Sequence, residues 1–138
     1  AVEAGDLDGE PDTVAKLQAV RHWDFSQAEL SDSVVFIACE NGETVGYAIA
    51  AVRFFGRGFV WMLVVDAAHR RRGVATALMQ RAEEWCPSDQ LFTSTNRSNA
   101  PARRLFESLD YLESGTVQNL DPGDPEVFFC RFLNSALG

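Results

Sequence analysis

The stretch Val64–Met79, VVDAAHRRRGVATALM, decides the fold because its hydrophobic period changes partway through. It begins as an apolar, β-branched run typical of a strand, then continues with apolar residues three or four positions apart, as in an amphipathic helix. Pro87 ends that helix. Its apolar face comprises Val74, Leu78, Ala82 and Trp85. A strand that turns directly into a helix leaves backbone N–H groups without partners, and the helix dipole adds positive charge there.

The turn between strand and helix predicts an anion site. It contains Arg70, Arg71, Arg72 and Gly73, and phosphate is the usual guest at such a helix start. Gly73 would let a phosphate approach the backbone, and Thr76 could add a hydroxyl group. The alternative is a solvated surface turn. The usual nucleotide motifs are not matched, since no Lys-Ser/Thr pair follows the glycine and there is one glycine instead of three.

The flanking segments predict the rest of the fold. Residues 11–20 have helical spacing, and residues 34–52 read as two strands joined at Asn41-Gly42, a dipeptide typical of tight hairpin turns. A third strand follows at 59–66. Beyond the central helix we predict a strand at 91–96, a helix at 98–110 and a final hairpin over 115–133. The order predicts an α/β fold of the α+β type, with a mixed, mostly antiparallel central sheet and helices on both faces, in a single domain, 1–138.

Composition limits the partners. The 138 residues carry 20 acidic and 12 basic side chains, a net charge of -8, which argues against binding nucleic acid or an anionic membrane over the whole surface. The three cysteines are far apart and fit neither a metal motif nor a two-disulfide framework, so we interpret them as reduced thiols of a cytoplasmic protein. No apolar run is long enough to span a membrane, and the acidic first residues do not resemble a secretory signal. The oligomeric state is left as monomer or homodimer, because the final strand could pair across a dimer or lie inside the sheet.

Two motifs together resemble those of the GNAT superfamily of acetyl-CoA-dependent N-acetyltransferases. The family signature has Gln or Arg, two residues, Gly, one residue, and Gly or Ala, and Arg70, Gly73 and Ala75 match it. The second element, Asn-x-x-Ala-x-x-Leu-Tyr-x-x-x-Gly-Phe, resembles NAPARRLFESLDY. Its matching residues are Asn99, Ala102 and Leu105, with Phe106 for the Tyr, Asp110 for the Gly and Tyr111 for the Phe.

The resemblance implies acetyl-CoA as the cofactor and assigns residues to it. Backbone N–H groups from Arg71 to Thr76, including Val74 and Ala75, would hold the pyrophosphate, with Arg70 and Arg72 as charge partners. Val64 and Val65 would hydrogen-bond the pantetheine arm, and the Val65 N–H would face the thioester carbonyl as an oxyanion donor. Asn99 would bond the pantetheine or phosphate region. Arg104 or Arg103 could reach the adenosine phosphate, or either could lie on a solvated helix face. No metal is implied.

The implied reaction is acetyl transfer to an amine by direct attack through a tetrahedral intermediate, and its acid and base are unassigned. Phe106 occupies the position of the family's usual acid, a Tyr, and cannot donate a proton. Asp66 reads as a turn residue, Tyr111 as core, and His69 and His22 as surface or helix-end residues. Tyr47 could face either side of the sheet.

The resemblance implies a small-molecule or peptide amine as the acceptor, and the sequence does not name it. Six acidic residues between Arg104 and Arg131 could form a rim that attracts a cationic amine, or could simply be solvated: Glu107, Asp110, Glu113, Asp121, Asp124 and Glu126. Trp23 and Phe25 could contact the acceptor or pack in the core. One alternative function is a CoA-binding regulatory module with weak or no catalysis. Another is a nucleic-acid or protein-interaction domain, against which the acidic charge counts.

Overall fold

The protein is described by a computed structural model over residues 3–6, 32–70 and 73–133. The strands are β1 (Glu3–Asp6), β2 (Ser33–Glu40), β3 (Glu43–Phe54), β4 (Arg57–Val65), β5 (Gln90–Asn96), β6 (Leu112–Val117) and β7 (Glu126–Phe132). The α-helices are α1 (Val74–Trp85) and α2 (Ala100–Ser108), and a short 3₁₀ helix spans Ala67–His69. The helix predicted for 11–20 lies outside the described residues.

The strands form one sheet in the order β1-β2-β3-β4-β5-β7-β6. The β4–β5 pair is parallel, and the other neighbouring pairs are antiparallel. The predicted mixed, mostly antiparallel sheet is therefore confirmed. Strand β7 lies between β5 and β6, so the final apolar segment is inside the sheet. Strand β1 was not predicted, because Glu3–Asp6 lacks an alternating apolar pattern.

Helix α1 packs on the sheet through the apolar face that its spacing predicted. Val74, Leu78 and Ala82 are buried, together with Met79. Gly46 of β3 lies directly beneath: a Cβ there would stand 2.8 Å from the Val64 carbonyl oxygen and 3.1 Å from Val74 Cγ1. The absence of a side chain thus brings the helix close to the sheet. Burial of a side chain such as Leu78 stabilises the fold by about 1.5–3 kcal/mol.

Phe106 of helix α2 belongs to the same buried apolar cluster as the inner face of α1. Both described helices therefore pack on the same face of the sheet. Phe106 is only 2% exposed, and its ring lies 5.4 Å from Phe129 and 6.1 Å from Tyr111, centroid to centroid. Asp110, at the position of the motif's glycine, has φ +69°, the left-handed conformation that glycine adopts most easily. The prediction that Tyr111 is a core residue is confirmed, as it is 3% exposed.

A second apolar cluster occupies the opposite face of β2, β3 and β4. It includes Val35, Ile37, Tyr47, Ile49 and Val64. Tyr47 therefore lies on the face away from α1. Of the helices that the structure describes, none is long and apolar enough to cross a membrane.

Candidate functional site

A fork between β4 and β5 forms the centre of the candidate site. The two parallel strands pair only through Gly58–Leu91, Phe59–Phe92 and Val60–Thr93, although β4 continues to Val65 and β5 to Asn96. The Thr93 hydroxyl donates to the Val60 carbonyl at 3.0 Å and closes the base of the fork. A β-bulge follows in β4, where Trp61 is an extra residue between the Ile49–Met62 and Ala50–Val60 pairs. Bulges bend a strand and end its pairing.

The register of β4 on β3 determines which backbone groups enter the fork. Asp66 donates its N–H to the Val45 carbonyl at 2.8 Å, and Val64 stands opposite Tyr47. Because backbone groups alternate in direction along an antiparallel pair, Val64 hydrogen-bonds towards β3, whereas the groups of Val65 point into the fork. The sequence interpretation assigned hydrogen bonds with the pantetheine arm to both Val64 and Val65. The register directs the backbone groups of Val65, but not those of Val64, into the fork.

A cavity of about 460 Å³ opens beside the fork on the helix-bearing face. Both helices and the end of β4 contribute to its wall. The lining residues are Leu63, Val65, His69, Arg70, Gly73, Val74, Ala75, Thr76, Pro101, Ala102 and Leu105. The predicted turn residues Arg70 and Gly73 to Thr76 thus lie in one cavity with Val65. Pro101, Ala102 and Leu105 were not predicted to line it, although Ala102 and Leu105 are motif positions and carried the signal.

Gly73 opens α1 in the left-handed conformation, with φ +81° and ψ 9°. A Cβ at this position would meet no described atom within 4 Å, so the space on that side is open. The N–H of Ala77 donates to the Gly73 carbonyl at 3.0 Å, the first bond of the helix. The N–H groups of Val74, Ala75 and Thr76 precede it and have no intrahelical acceptor. They form a set of donors aimed out of the helix start, beside the cavity.

The remaining predicted cofactor residues lie around the cavity or outside the described part. Arg70 is exposed at the cavity, and its Nε donates to the Val65 carbonyl at 3.3 Å. Arg71 and Arg72 fall outside the described residues. Asn99 caps α2, accepting the Ala102 N–H on its side-chain oxygen at 3.3 Å, and does not line the cavity. Arg104 is exposed on α2 and does not line it either.

His69 lines the cavity and is fixed by a carboxylate. Its Nδ1 lies 2.8 Å from Asp66 Oδ2 within the 3₁₀ turn. The sequence interpretation placed this histidine on the surface, but its side chain is only 22% exposed. The pair orients the imidazole beside the helix start.

Tyr111 is tied into a separate network on the same side of the sheet. Its hydroxyl donates to Glu83 at 2.8 Å, and Arg131 donates to the other oxygen of Glu83 at 2.8 Å. Burial, followed by the bond to Glu83, raises the pKa of Tyr111 far above its usual value. Tyr111 does not line the cavity, and Phe106 offers no proton, so neither provides an acid there.

The β6–β7 hairpin is attached to the connection between β5 and α2 by its acidic residues. Asn96 donates to Asp121 at 2.8 Å, and the Ser98 backbone N–H donates to Asp124 at 3.1 Å. These two of the six predicted rim acids therefore have structural partners. Glu107, Asp110 and Glu113 are exposed.

None of the three cysteines lines the cavity. Cys39, Cys86 and Cys130 are free thiols, and burial raises the pKa of Cys130. Over residues 3–6, 32–70 and 73–133, no group of three or more His, Cys, Asp or Glu side chains could hold a metal ion.

Comparison with known proteins identifies relatives of this fold. A model of the acetyltransferase (GNAT) family matches residues 6–111. N-alpha-acetyltransferase 30 of Xenopus laevis is 31% identical over an alignment of 86 residues, and the match covers 56% of this chain and 31% of that protein. The match thus spans less than a third of that relative's length.

Solved structures agree over nearly the whole chain. A GNAT-family acetyltransferase from Bacillus cereus ATCC 10987 is 28% identical and covers 96% of both chains, with a TM-score of 0.79. An aminoglycoside 6'-N-acetyltransferase complexed with coenzyme A is 15% identical and shares the fold, with a TM-score of 0.78 over 96% of this chain and 97% of that chain.

Proposed function

Because the chain belongs to the acetyltransferase (GNAT) family, we propose that it transfers an acetyl group from acetyl-CoA to a primary amine, as a single domain spanning residues 1–138. One observation carries the proposal: a set of anion-binding N–H groups and an open strand fork meet in one cavity. The cavity joins the start of α1 at Gly73 to the Val65 backbone of β4.

The cavity fits the phosphate end of this cofactor. The N–H groups of Val74, Ala75 and Thr76 point out of the helix start, where the helix dipole favours an anion. The open space beside Gly73 lets a phosphate reach them. Arg70 supplies a positive charge at the same rim, and His69 lies beside it. We assign pyrophosphate binding to these residues, with the Arg71 and Arg72 backbone N–H groups as further donors and Arg72 as a further charge partner.

The fork fits the thioester end. An extended pantetheine arm would lie along β4, bonding to the backbone of Val65 on the side that β5 leaves open. The Val65 N–H would then donate to the thioester oxygen as negative charge develops on it. Asn99 and Arg104 stay assigned to the outer parts of the cofactor, where Asn99 has only its amide nitrogen free of the capping bond.

Acetyl transfer requires the amine in its neutral form. An ammonium group first loses a proton, since an alkyl amine has a pKa of about 10 and attacks only when neutral. Its lone pair forms a C–N bond with the thioester carbon, the C–S bond breaks, and the nitrogen loses a second proton. The leaving thiolate takes up one proton, and one is released to solvent. A thiol pKa of about 8.5 makes departure without an acid feasible.

The acceptor class is a small-molecule or peptide amine. The Xenopus laevis relative is named an N-alpha-acetyltransferase, and the coenzyme A complex is that of an aminoglycoside acetyltransferase, so both kinds of acceptor belong in the assay. We also propose a cytoplasmic location, on the ground that all three cysteines are free.

A second candidate function is a CoA-binding regulatory module with slow or no turnover. Phe106 favours it, because this buried ring replaces the Tyr that serves as acid in the family. Both candidates bind CoA, and only the enzyme releases thiol when an amine is added.

Thermal melting tests cofactor binding, and thiol release tests transfer. A ligand present at a hundred times its Kd stabilises the folded state by about 2.7 kcal/mol. We expect acetyl-CoA and CoA, but not NADH or ATP, to raise the melting temperature, and Gly73→Glu to abolish the effect. Thiol release from acetyl-CoA that increases with an added amine would support the enzyme. Stabilisation by CoA without such release would support the regulatory module.

A further inference from the structure

Glu126 begins β7 opposite Asn96, the last residue of β5, on the face opposite the helices. Its Oε2 accepts a hydrogen bond from the Ser94 hydroxyl at 2.7 Å. Ser94 and Asn96 both follow Thr93, the last residue of β5 that pairs with β4, so they border the open part of the fork. Since Val127 and Phe129 of β7 face the helices, the alternation of side chains places Glu126 on the other face. A carboxylate is therefore held alongside the open part of the fork.

Glu126 differs from the other carboxylates near the centre of the sheet. The Asp66 carboxylate is paired with the His69 imidazole, and the Glu83 carboxylate accepts bonds from Tyr111 and Arg131. Glu126 has no ion pair with any residue in the described part of the chain, and its second oxygen has no described partner. The Ser94 hydroxyl fixes the side chain without neutralising its charge. A carboxylate so placed can accept a bond from an ammonium group.

An aromatic cluster stands beside this carboxylate on the same face. Phe54 packs on Phe59, Phe92 and Phe128, with ring centroids 5.2, 4.8 and 5.4 Å away. All four rings are partly buried. Phe128 lies two residues from Glu126 on β7, a spacing of about 7 Å along a strand. This face of the sheet thus has an apolar surface about 7 Å along β7 from a negatively charged carboxylate.

We propose that Glu126 binds the ammonium group of the acceptor and takes its proton, and that the phenylalanine cluster binds an apolar group carried next to that amine. The inference rests on the proposed acetyl transfer. It assigns the acceptor to the face opposite the cofactor cavity, so the two reactants meet at Val65 from the two sides of the sheet. Proton transfer to Glu126 frees the nitrogen lone pair for attack on the thioester carbon, and Glu126 returns the proton to solvent afterwards.

The acceptor class follows from this arrangement. It is a primary amine with an aromatic or aliphatic group about two or three bonds away, found in an arylalkylamine or in the first residue of a peptide with an apolar side chain. Matched pairs separate the two sources: 2-phenylethylamine against ethanolamine, and a tetrapeptide beginning with Phe against one beginning with Ser.

Steady-state thiol release with these four amines tests the proposal on the native chain, Glu126→Gln and Glu84→Gln. Glutamine keeps the size of the side chain and its bond to Ser94. Glu84 is an exposed carboxylate of helix α1 that does not line the cavity, and it serves as the matched control. We expect Glu126→Gln to lower kcat/KM for the amine by about a hundredfold or more, with the KM for acetyl-CoA within twofold of native. Glu84→Gln should behave as native. The apolar member of at least one pair should be preferred by about tenfold, a difference typical of apolar pocket contacts.

Thermal melting of the CoA-bound protein with 2-phenylethylamine and the Phe peptide gives a readout that needs no turnover. Stabilisation of the native protein that is lost in Glu126→Gln supports the acceptor site, even if no acetyl transfer occurs and the transferase proposal fails. Native turnover that survives in Glu126→Gln, or a preference for the polar member of both pairs, overturns the acceptor site and leaves the transferase standing. Absence of both turnover and amine binding overturns both.

Discussion

Gly73→Ala separates the two demands made on this glycine, its backbone conformation and the space beside it. At φ +81° an alanine is strained, and the cost of the left-handed conformation is about 1–2 kcal/mol. The described residues offer no clash, since a Cβ would meet none of their atoms within 4 Å. For a chain of 138 residues that cost lowers the melting temperature by roughly 3–7 °C. The loss of stability in Gly73→Ala therefore measures only the backbone strain at residue 73.

Gly56→Ala is the matched control. Gly56 has φ +78°, and within residues 3–6, 32–70 and 73–133 a Cβ there also meets no atom within 4 Å. It lies in the β3–β4 hairpin, at the opposite end of β4 from the cavity. We expect both variants to lose a similar amount of stability, because both force alanine into the same conformation. Only Gly73→Ala should also weaken the binding of acetyl-CoA, since its methyl group would occupy the space assigned to a phosphate.

Isothermal titration with acetyl-CoA, below the melting range of every variant, measures the difference. A loss of tenfold or more in affinity for Gly73→Ala corresponds to about 1.4 kcal/mol, and Gly56→Ala should match the native protein. Equal affinities in all three proteins would refute the assignment of the phosphate to this helix start. Equal losses in both variants would show that backbone strain, acting at a distance, had caused the effect.

Three further predictions concern packing, ionisation and charge. Gly58→Ala should cost about 1–3 kcal/mol of unfolding free energy in denaturant titrations, because its Cβ would lie 2.6 Å from Cys86 Sγ, and adding Cys86→Ala should recover most of the loss. The pKa of Tyr111 is higher in the folded than in the unfolded protein, because its hydroxyl is buried and bonded to Glu83. The neutral hydroxyl therefore stabilises the fold fully below about pH 10, the pKa in the unfolded chain, and this stabilisation is lost as the pH rises towards the folded pKa. Tyr111→Phe, which removes the bond to Glu83, should thus be less stable than native at pH 7, and the gap should narrow above pH 10; a constant gap would contradict this account. Arg70→Ala should raise the KM for acetyl-CoA several-fold at low salt and by less at 0.5 M salt, whereas equal effects at both ionic strengths would exclude a charge contact.

The sequence was sufficient for most of the fold because its strongest signals are local. The change of period after Val65 marks the strand-to-helix turn, and Asn41 and Gly42 have the positive φ angles, 53° and 79°, that their hairpin requires. Strand β1 gave no such signal, since its residues join the sheet by pairing with the edge of β2 and not by an apolar pattern of their own.

The candidate site was predictable as far as motifs fix positions along the chain. Gly73, Ala75 and Thr76 were predicted to lie together and do so. The sequence could not predict that Val64 hydrogen-bonds towards β3 while the backbone of Val65 points into the fork. This difference depends on the register with β3 and on the bulge at Trp61. The bond between Ser94 and Glu126 joins residues 32 apart, and only the pairing of β5 with β7 brings them together.

The short parallel junction has a consequence for how the molecule opens. It joins two antiparallel groups, β1 to β4 and β5 to β7, through three residue pairs, whereas β5 and β7 are matched over seven. Cooperative units in native-state amide exchange follow such boundaries, so the two groups should protect their amides as separate blocks. The amides of Leu63 and Val65, which β5 leaves unpaired, should exchange faster than the amides of β4 that are bonded to β3. A ligand that lies along β4 would protect these amides, so their exchange rates report directly whether the fork is occupied.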